Sequence, residues 1–183
     1  MAEGWVEEVL SFWFDELTYE DWFGGSKELD DRIRERFLDL YERLKADFDA
    51  DAVDDPRTAL AAIILFDQFP RNMFRKTAAA FATDDIAIAL ARRAIDKEFD
   101  AALDEKARSF LYMPFMHSEV SADQERCVDL FRSLGENEGL KYAIEHRDIV
   151  ARYGRFPHRN RVLGRDSTKD ELEFLNQHAG YGQ

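Results

Sequence analysis

The residues best equipped for chemistry fall in three short segments, each at the end of a run that reads as helix. The first is Asp67-Gln68-Phe69-Pro70-Arg71-Asn72. Asp67 and Gln68 close an apolar stretch, where burial without hydrogen-bond partners is costly. Arg71 and Asn72 are the nearest donors. The segment is therefore either a helix-end pocket for a polar ligand or an internal network that locks the corner. The second is Tyr112-Met113-Pro114-Phe115-Met116-His117-Ser118-Glu119. His117 and Glu119, two apart, have the types of a base and its orienting acid, or of two ligands to an iron ion. The blander alternative is a capping or pairing role for Glu119 and a hydrogen-bonded His117. The third is Tyr153-Gly154-Arg155-Phe156-Pro157-His158-Arg159-Asn160-Arg161. Guanidinium forks bind oxyanions bidentately, so Arg155 and Arg159 with His158 and Asn160 suit a carboxylate or phosphate clamp. His146 lies one helical stretch earlier. Here the alternative is pairing with the acidic N-terminal third.

Other chemistries lack their signatures. H-E-x-x-H and E-x-x-H, which carry helical zinc and di-iron sites, are absent, so no metal and no cofactor is expected. No P-loop, G-x-G-x-x-G or G-x-S-x-G occurs. Cys127 falls beside Val128 and Phe131 inside a helical run and reads as core.

The elements that must position these segments read as helices almost throughout. Trp5, Val6, Val9, Leu10 and Trp13 make one face of a first helix, and Tyr19 to Gly25 breaks the pattern. Ser26 caps a long amphipathic helix through Leu29, Ile33, Phe37, Leu40, Leu44 and Phe48. Asp55-Pro56 opens a third, apolar on every side from Ala59 to Phe66, which belongs at the centre of the fold and is ended or redirected at Pro70. Thr83 with Asp84 and Asp85 starts a fourth, to about Phe99. Asp104 caps a fifth, interrupted at Pro114. A Ser121/Gln124 capping box starts a sixth that stops at Leu134-Gly135. Asn137 begins a seventh, broken near Gly154 and Pro157, and a Thr168/Glu171 capping box starts a short last helix. No segment alternates with period two, so the fold class is all-α. One echo stands out: Phe69-Pro70-Arg71-Asn72 returns as Phe156-Pro157-His158-Arg159-Asn160, with one residue inserted.

The chain has 183 residues, within the range of a single helical domain over 1–183. Its fifteen Phe and three Trp supply a core without help from disulfides, because there is one cysteine. The longest uninterrupted apolar run, Ala59 to Phe66, is far too short to span a bilayer, and the acidic start lacks a secretory signal's basic end, so a cytoplasmic protein is expected. The net charge of −13 sits almost wholly in residues 1–55, with 18 acids against 6 bases. Nucleic acid and membrane are not expected partners. Lys141 to Arg165 runs the other way, with seven bases and two acids.

On four of these segments the chain resembles the domain of unknown function 924 family of bacterial proteins. They are Phe12-Trp13-Phe14, Asp67-Gln68-Phe69-Pro70-Arg71-Asn72, Tyr112-Met113-Pro114 with His117-Ser118-Glu119, and Gly154-Arg155-Phe156-Pro157-His158-Arg159-Asn160. The resemblance implies stacked antiparallel helix pairs in a tetratricopeptide-like right-handed superhelix of about seven to nine helices. It implies no reaction or ligand.

Two functions follow from the residues. One is a helical binding module for an anionic small molecule or a peptide, with a polar site built from Asp67, Gln68, Arg71, Asn72, His117, Glu119, His146, Arg155, His158, Arg159 and Asn160. It requires several of these side chains to meet in one open cavity, with their charges not already neutralised by Asp67 and Glu119. The other is a small hydrolase or transferase, with His117 or His158 as base, Glu119 or Asp67 as its orienter and Arg155 or Arg159 as oxyanion clamp. It requires a histidine within hydrogen-bond reach of a carboxylate. Oligomeric state is open.

Overall fold

The computed structural model describes residues 4–178, and among them there are nine helices and no strand. Helix α1 (Trp5–Ser11) runs into a π-helical turn, Phe12–Glu16. A short α2 (Tyr19–Gly24) stands where a break was expected. The signal was in the sequence: Thr18 accepts from the Asp21 N–H, and the Asp21 carboxylate accepts from the Thr18 N–H, a capping box with aspartate in place of glutamate. Trp22 Nε1 donates to the Trp13 carbonyl at 2.9 Å and ties α2 to the end of α1. Helix α3 (Lys27–Asp47) is the long amphipathic helix, capped by Ser26, with Leu29, Ile33, Phe37, Leu40 and Tyr41 buried.

Helix α4 is the centre of the molecule. It runs Pro56–Ile63 as α, Ile64–Gln68 as one π turn, and Phe69–Met73 as α again. Every residue from Ala59 to Phe66 is at most 3% exposed. Pro70 does not end the helix. It offers no N–H to the Phe66 carbonyl four residues back, and Thr83 Oγ1 donates to that carbonyl at 2.6 Å. The Thr83 hydroxyl is thus spent on α4, and makes no cap bond to the helix it precedes, α5 (Asp84–Asp96).

Helix α6 (Glu105–His117) continues through Pro114 to His117. Gln124 accounts for its end, donating to the carbonyls of Phe115, Met116 and Ser118 at 3.2, 2.8 and 2.6 Å. Gln124 is therefore no capping-box partner of Ser121; Val120 stands at the start of α7 (Ser121–Ser133) without a side-chain cap. Asn137 caps α8 (Glu138–Tyr153), which Gly154 ends at φ 71°, and Thr168 with Glu171 forms the expected capping box of α9 (Lys169–Gln177). Helices α5 to α8 each pack on the next, and the short links between α6, α7 and α8 make those three antiparallel neighbours. The aromatic face of α1 packs into the chain's own core, Trp5, Phe12 and Trp13 being buried. Cys127 is buried as well. One large core joins α1 and α3 to α8. Ile149, Val150 and Phe156, with Tyr153 and Phe174, form a separate small cluster under the C-terminal segment.

Replacing Thr83 with Val keeps its shape and deletes the hydroxyl under Pro70. Because the Phe66 carbonyl is deeply buried, the variant is expected to lose about 1–3 kcal/mol of stability, read as a lower urea midpoint at unchanged denaturant slope.

Candidate functional site

The π turn of α4 delivers Asp67 into the interior. The extra residue in that turn rotates the segment, so that Asp67 and Gln68 leave the apolar stripe and face the end of α6. Asp67 is fully buried. His117, the last residue of α6, donates from Nδ1 to both carboxylate oxygens, at 2.8 and 2.9 Å. Gln68 Nε2 donates to Asp67 Oδ2 at 2.6 Å and also meets Met113 Sδ at 3.3 Å. Arg71 Nη1 donates to the Asp67 carbonyl at 2.6 Å and lies 3.2 Å from its carboxylate. Burial would raise the Asp67 pKa, but the Arg71 charge, with the hydrogen bonds from His117 and Gln68, outweighs it and holds the carboxyl down at about 2.

Asp84, at the first position of α5, completes the centre. Arg71 holds it with two bonds of 2.9 and 3.1 Å, and Arg159 Nη1 approaches the same carboxylate at 3.3 Å. Arg159 Nη2 donates to the His117 carbonyl at 2.9 Å. Both guanidinium groups stand over Phe81, with Cζ at 5.6 Å for Arg71 and 4.5 Å for Arg159, and Phe156 covers Arg159 from another side at 4.8 Å. Burial and the Arg71 charge push Arg159 down to about 10, so it remains a cation at neutral pH. The Nε of each arginine is sealed from solvent and has no acceptor. His117 differs. Burial and the Arg71 charge lower its pKa, so the ring is neutral at pH 7 with the proton on Nδ1. Nε2 then carries a lone pair, has no hydrogen-bond partner among the described residues, and is not sealed. With two arginines and two aspartates, the centre balances its own charge.

Sequence reasoning brought Asp67, Gln68, Arg71, His117 and Arg159 to one place, and the structure joins them directly. Asn72 turns outward to Asp30, donating at 2.8 Å beside the bidentate Arg75. Glu119 does not orient His117. Its carboxylate takes the Phe156 N–H at 2.7 Å and both arms of Arg165 at 2.7 and 2.9 Å, and Asp67 holds the histidine instead. Asn160 accepts from Arg165 at 2.9 Å and donates to Ser167 at 3.1 Å. Arg155 is away from the centre, forked onto Glu171 at 2.7 and 2.9 Å. His146 is buried against Phe156 and donates from Nδ1 to the Tyr142 carbonyl at 2.7 Å. His158 faces the other way, 3.1 Å from His178, which reaches Glu145 at 2.6 Å. A groove of about 360 Å³ opens there between α8 and α9, lined by Ile144, Glu145, Ile149, Phe174 and His178 among others. Asp84 and Phe81 were missed as site residues: Asp84 reads locally as a helix start, and Phe81 lies in a short turn of small residues. The one available signal was the echo itself, which sets Arg71 and Arg159 in like surroundings at two helix ends. Among the described residues no group of three or more His, Cys, Asp or Glu could hold a metal ion.

Fold and centre together define an all-helical protein organised around a buried Asp–His pair and two arginines that share a carboxylate. The chain belongs to the family described as bacterial protein of unknown function (DUF924), whose model matches residues 9–179. It is similar to the solved structure of a protein of unknown function, ATU0120, from Agrobacterium tumefaciens. The two are 39% identical over 94% of this chain and 97% of that one, with a TM-score of 0.86. No curated protein matches. No helix among the described residues is long and apolar enough to cross a membrane.

The buried histidines set an acid limit on stability. Burial, with the nearby charges of His117, Arg159 and His158, pushes His146 from 6.5 down to about 3, so the unfolded chain takes up the proton first. The stabilisation is complete above pH 6.5 and is lost as pH falls toward 3. Urea midpoints are expected to drop steadily from pH 7 to 4, and His146→Gln to flatten that slope.

Proposed function

We propose that the chain is a helical binding module that receives a small ligand at His117, the ligand donating a hydrogen bond to Nε2. One observation carries this reading. A fully buried carboxylate fixes the histidine tautomer from behind and leaves the outward nitrogen as an unused acceptor. Stacking of consecutive helices, as in tetratricopeptide-like proteins, supports a module, and a lone cysteine buried as a thiol supports a cytoplasmic home. The ligand class shifts from the one first expected. An anion clamp needs spare positive charge, and Arg71, Arg155 and Arg159 are each matched by a carboxylate. A hydroxyl- or amine-bearing small molecule or peptide suits the balanced centre better than a free carboxylate or phosphate.

A second reading has its own support. The Asp67–His117 geometry is that of a general base with its orienter, which keeps a hydrolase or transferase open, with Arg159 beside the base. Asp67 fills the orienting role that Glu119 was a candidate for.

A thermal-shift screen over polyols, amines, short carboxylates, phosphate esters and peptides separates the outcomes. At 100 times its dissociation constant a ligand stabilises by about 2.7 kcal/mol, a shift of a few degrees. The expected hit carries an O–H or N–H donor, and the shift disappears in His117→Ala. A flat screen, or a shift unaffected by that variant, refutes a site at His117. Turnover of p-nitrophenyl acetate or p-nitrophenyl phosphate that falls about a hundredfold or more in both His117→Ala and Asp67→Asn would favour the catalytic reading.

A further inference from the structure

Helix α2 carries an aromatic surface that the core does not use. Tyr19 is 62% exposed and Phe23 54%, one turn apart, with ring centroids separated by 4.9 Å. They form the outer layer of a deeper stack. Phe23 lies parallel to Phe110 at 6.5 Å, Phe110 meets Trp22 edge-on at 5.1 Å, and Trp22 meets Phe14 at 6.2 Å. The inner part of this stack already holds a cation: the Lys106 ammonium stands 5.3 Å from the Phe14 ring and 5.4 Å from Trp22. Among the described residues, no cation stands over the outer pair. Around it, residues 15–21 contain four acids and no base. Glu16 is paired with Arg32 and Arg36, and Asp21 is committed to the capping box. Asp15 and Glu20 are exposed and make no ion pair among the described residues.

We propose that the exposed face of α2, Tyr19 and Phe23 with Glu20 on the same short helix and Asp15 in the turn that precedes it, is a docking surface for a partner protein's segment bearing arginine or lysine side chains. Ring faces attract a cation through their quadrupole, and the flanking carboxylates supply long-range attraction. Lys106 performs the same contact within the chain. A second copy is a poor partner for this acidic face, because the chain carries a net charge of −13. The surface does not depend on the His117 site and stands or falls separately from it.

The test is a titration of fluorescein-labelled hexa-arginine against the whole chain in 150 mM salt, with hexaglutamate as control. The double variant Tyr19→Ser, Phe23→Ser keeps every charge and alters exposed residues, so its melting temperature is expected to hold while affinity falls about tenfold. Asp15→Asn with Glu20→Gln is expected to weaken binding and reduce its salt dependence. Equal affinity of the ring variant and the parent would overturn the proposal, since net charge alone would then hold the peptide. So would an absence of hexa-arginine binding. Self-association of the parent that the ring variant abolishes would overturn it in favour of a second copy.

Discussion

A carboxylate with no access to water must be met by donors on every side, and Asp67 imposes that condition on this fold. Leaving such a charge unpaired costs several kcal/mol, more than a surface contact can return. Its partners come from distant parts of the chain: Gln68 and Arg71 from α4, and His117 from the far end of α6. Arg71 in turn needs Asp84, and Asp84 brings Arg159 from beyond α8. Each step fixes one helix end against another. The apolar core of α4 supplies the burial, and the polar centre sets which ends meet and in which register.

The two echoing segments, Phe69-Pro70-Arg71-Asn72 and Phe156-Pro157-His158-Arg159-Asn160, acquire a meaning in three dimensions that their similarity alone did not have. Their arginines, Arg71 and Arg159, close on one carboxylate and one ring, Asp84 and Phe81. Beyond each asparagine lies a further arginine that binds an acid from elsewhere in the chain, Arg75 with Asp30 and Arg165 with Glu119. Asn72 shares Asp30 directly, whereas Asn160 is coupled to Glu119 through Arg165. The copies thus use related chemistry on different backbones, a helix for the first and a single 3₁₀ turn for the second.

Most helix starts were legible because a cap is a local event. Ser26, Asp55, Asp104, Asn137 and Thr168 each accept the N–H three residues on, as their types suggest. The failures share a cause: a side chain suited to a local bond was used at long range. Thr83 bonds α4 rather than its own helix, and Gln124 holds the end of α6 rather than the start of α7. Pro70 and Pro114 read as breaks because a proline removes a donor. Thr83 supplies the missing bond in the first case, and in the second Gln124 holds the carbonyls of the last turn. At the site, residue types named five members of the centre. They did not reveal that Asp67 rather than Glu119 stands behind His117, since sequence separation of 2 against 50 argues for the wrong acid.

The C-terminal segment shares a small apolar cluster with the end of α8, and its hydrogen bonds to the body gather around the centre. They are Arg159 to Asp84 and to the His117 carbonyl, the Phe156 N–H to Glu119, and Arg165 to Glu119. Such bonds are directional and short-ranged, and each is lost over a small displacement. The body beneath is held by contiguous apolar packing, which water cannot replace. A seam held by a few directional bonds, beside a body held by broad apolar packing, is the kind of boundary along which sub-global opening divides a fold. Asp84 and His117 therefore sit where two differently held parts of the chain meet, so exposure of the centre and melting of the core are separable events in principle.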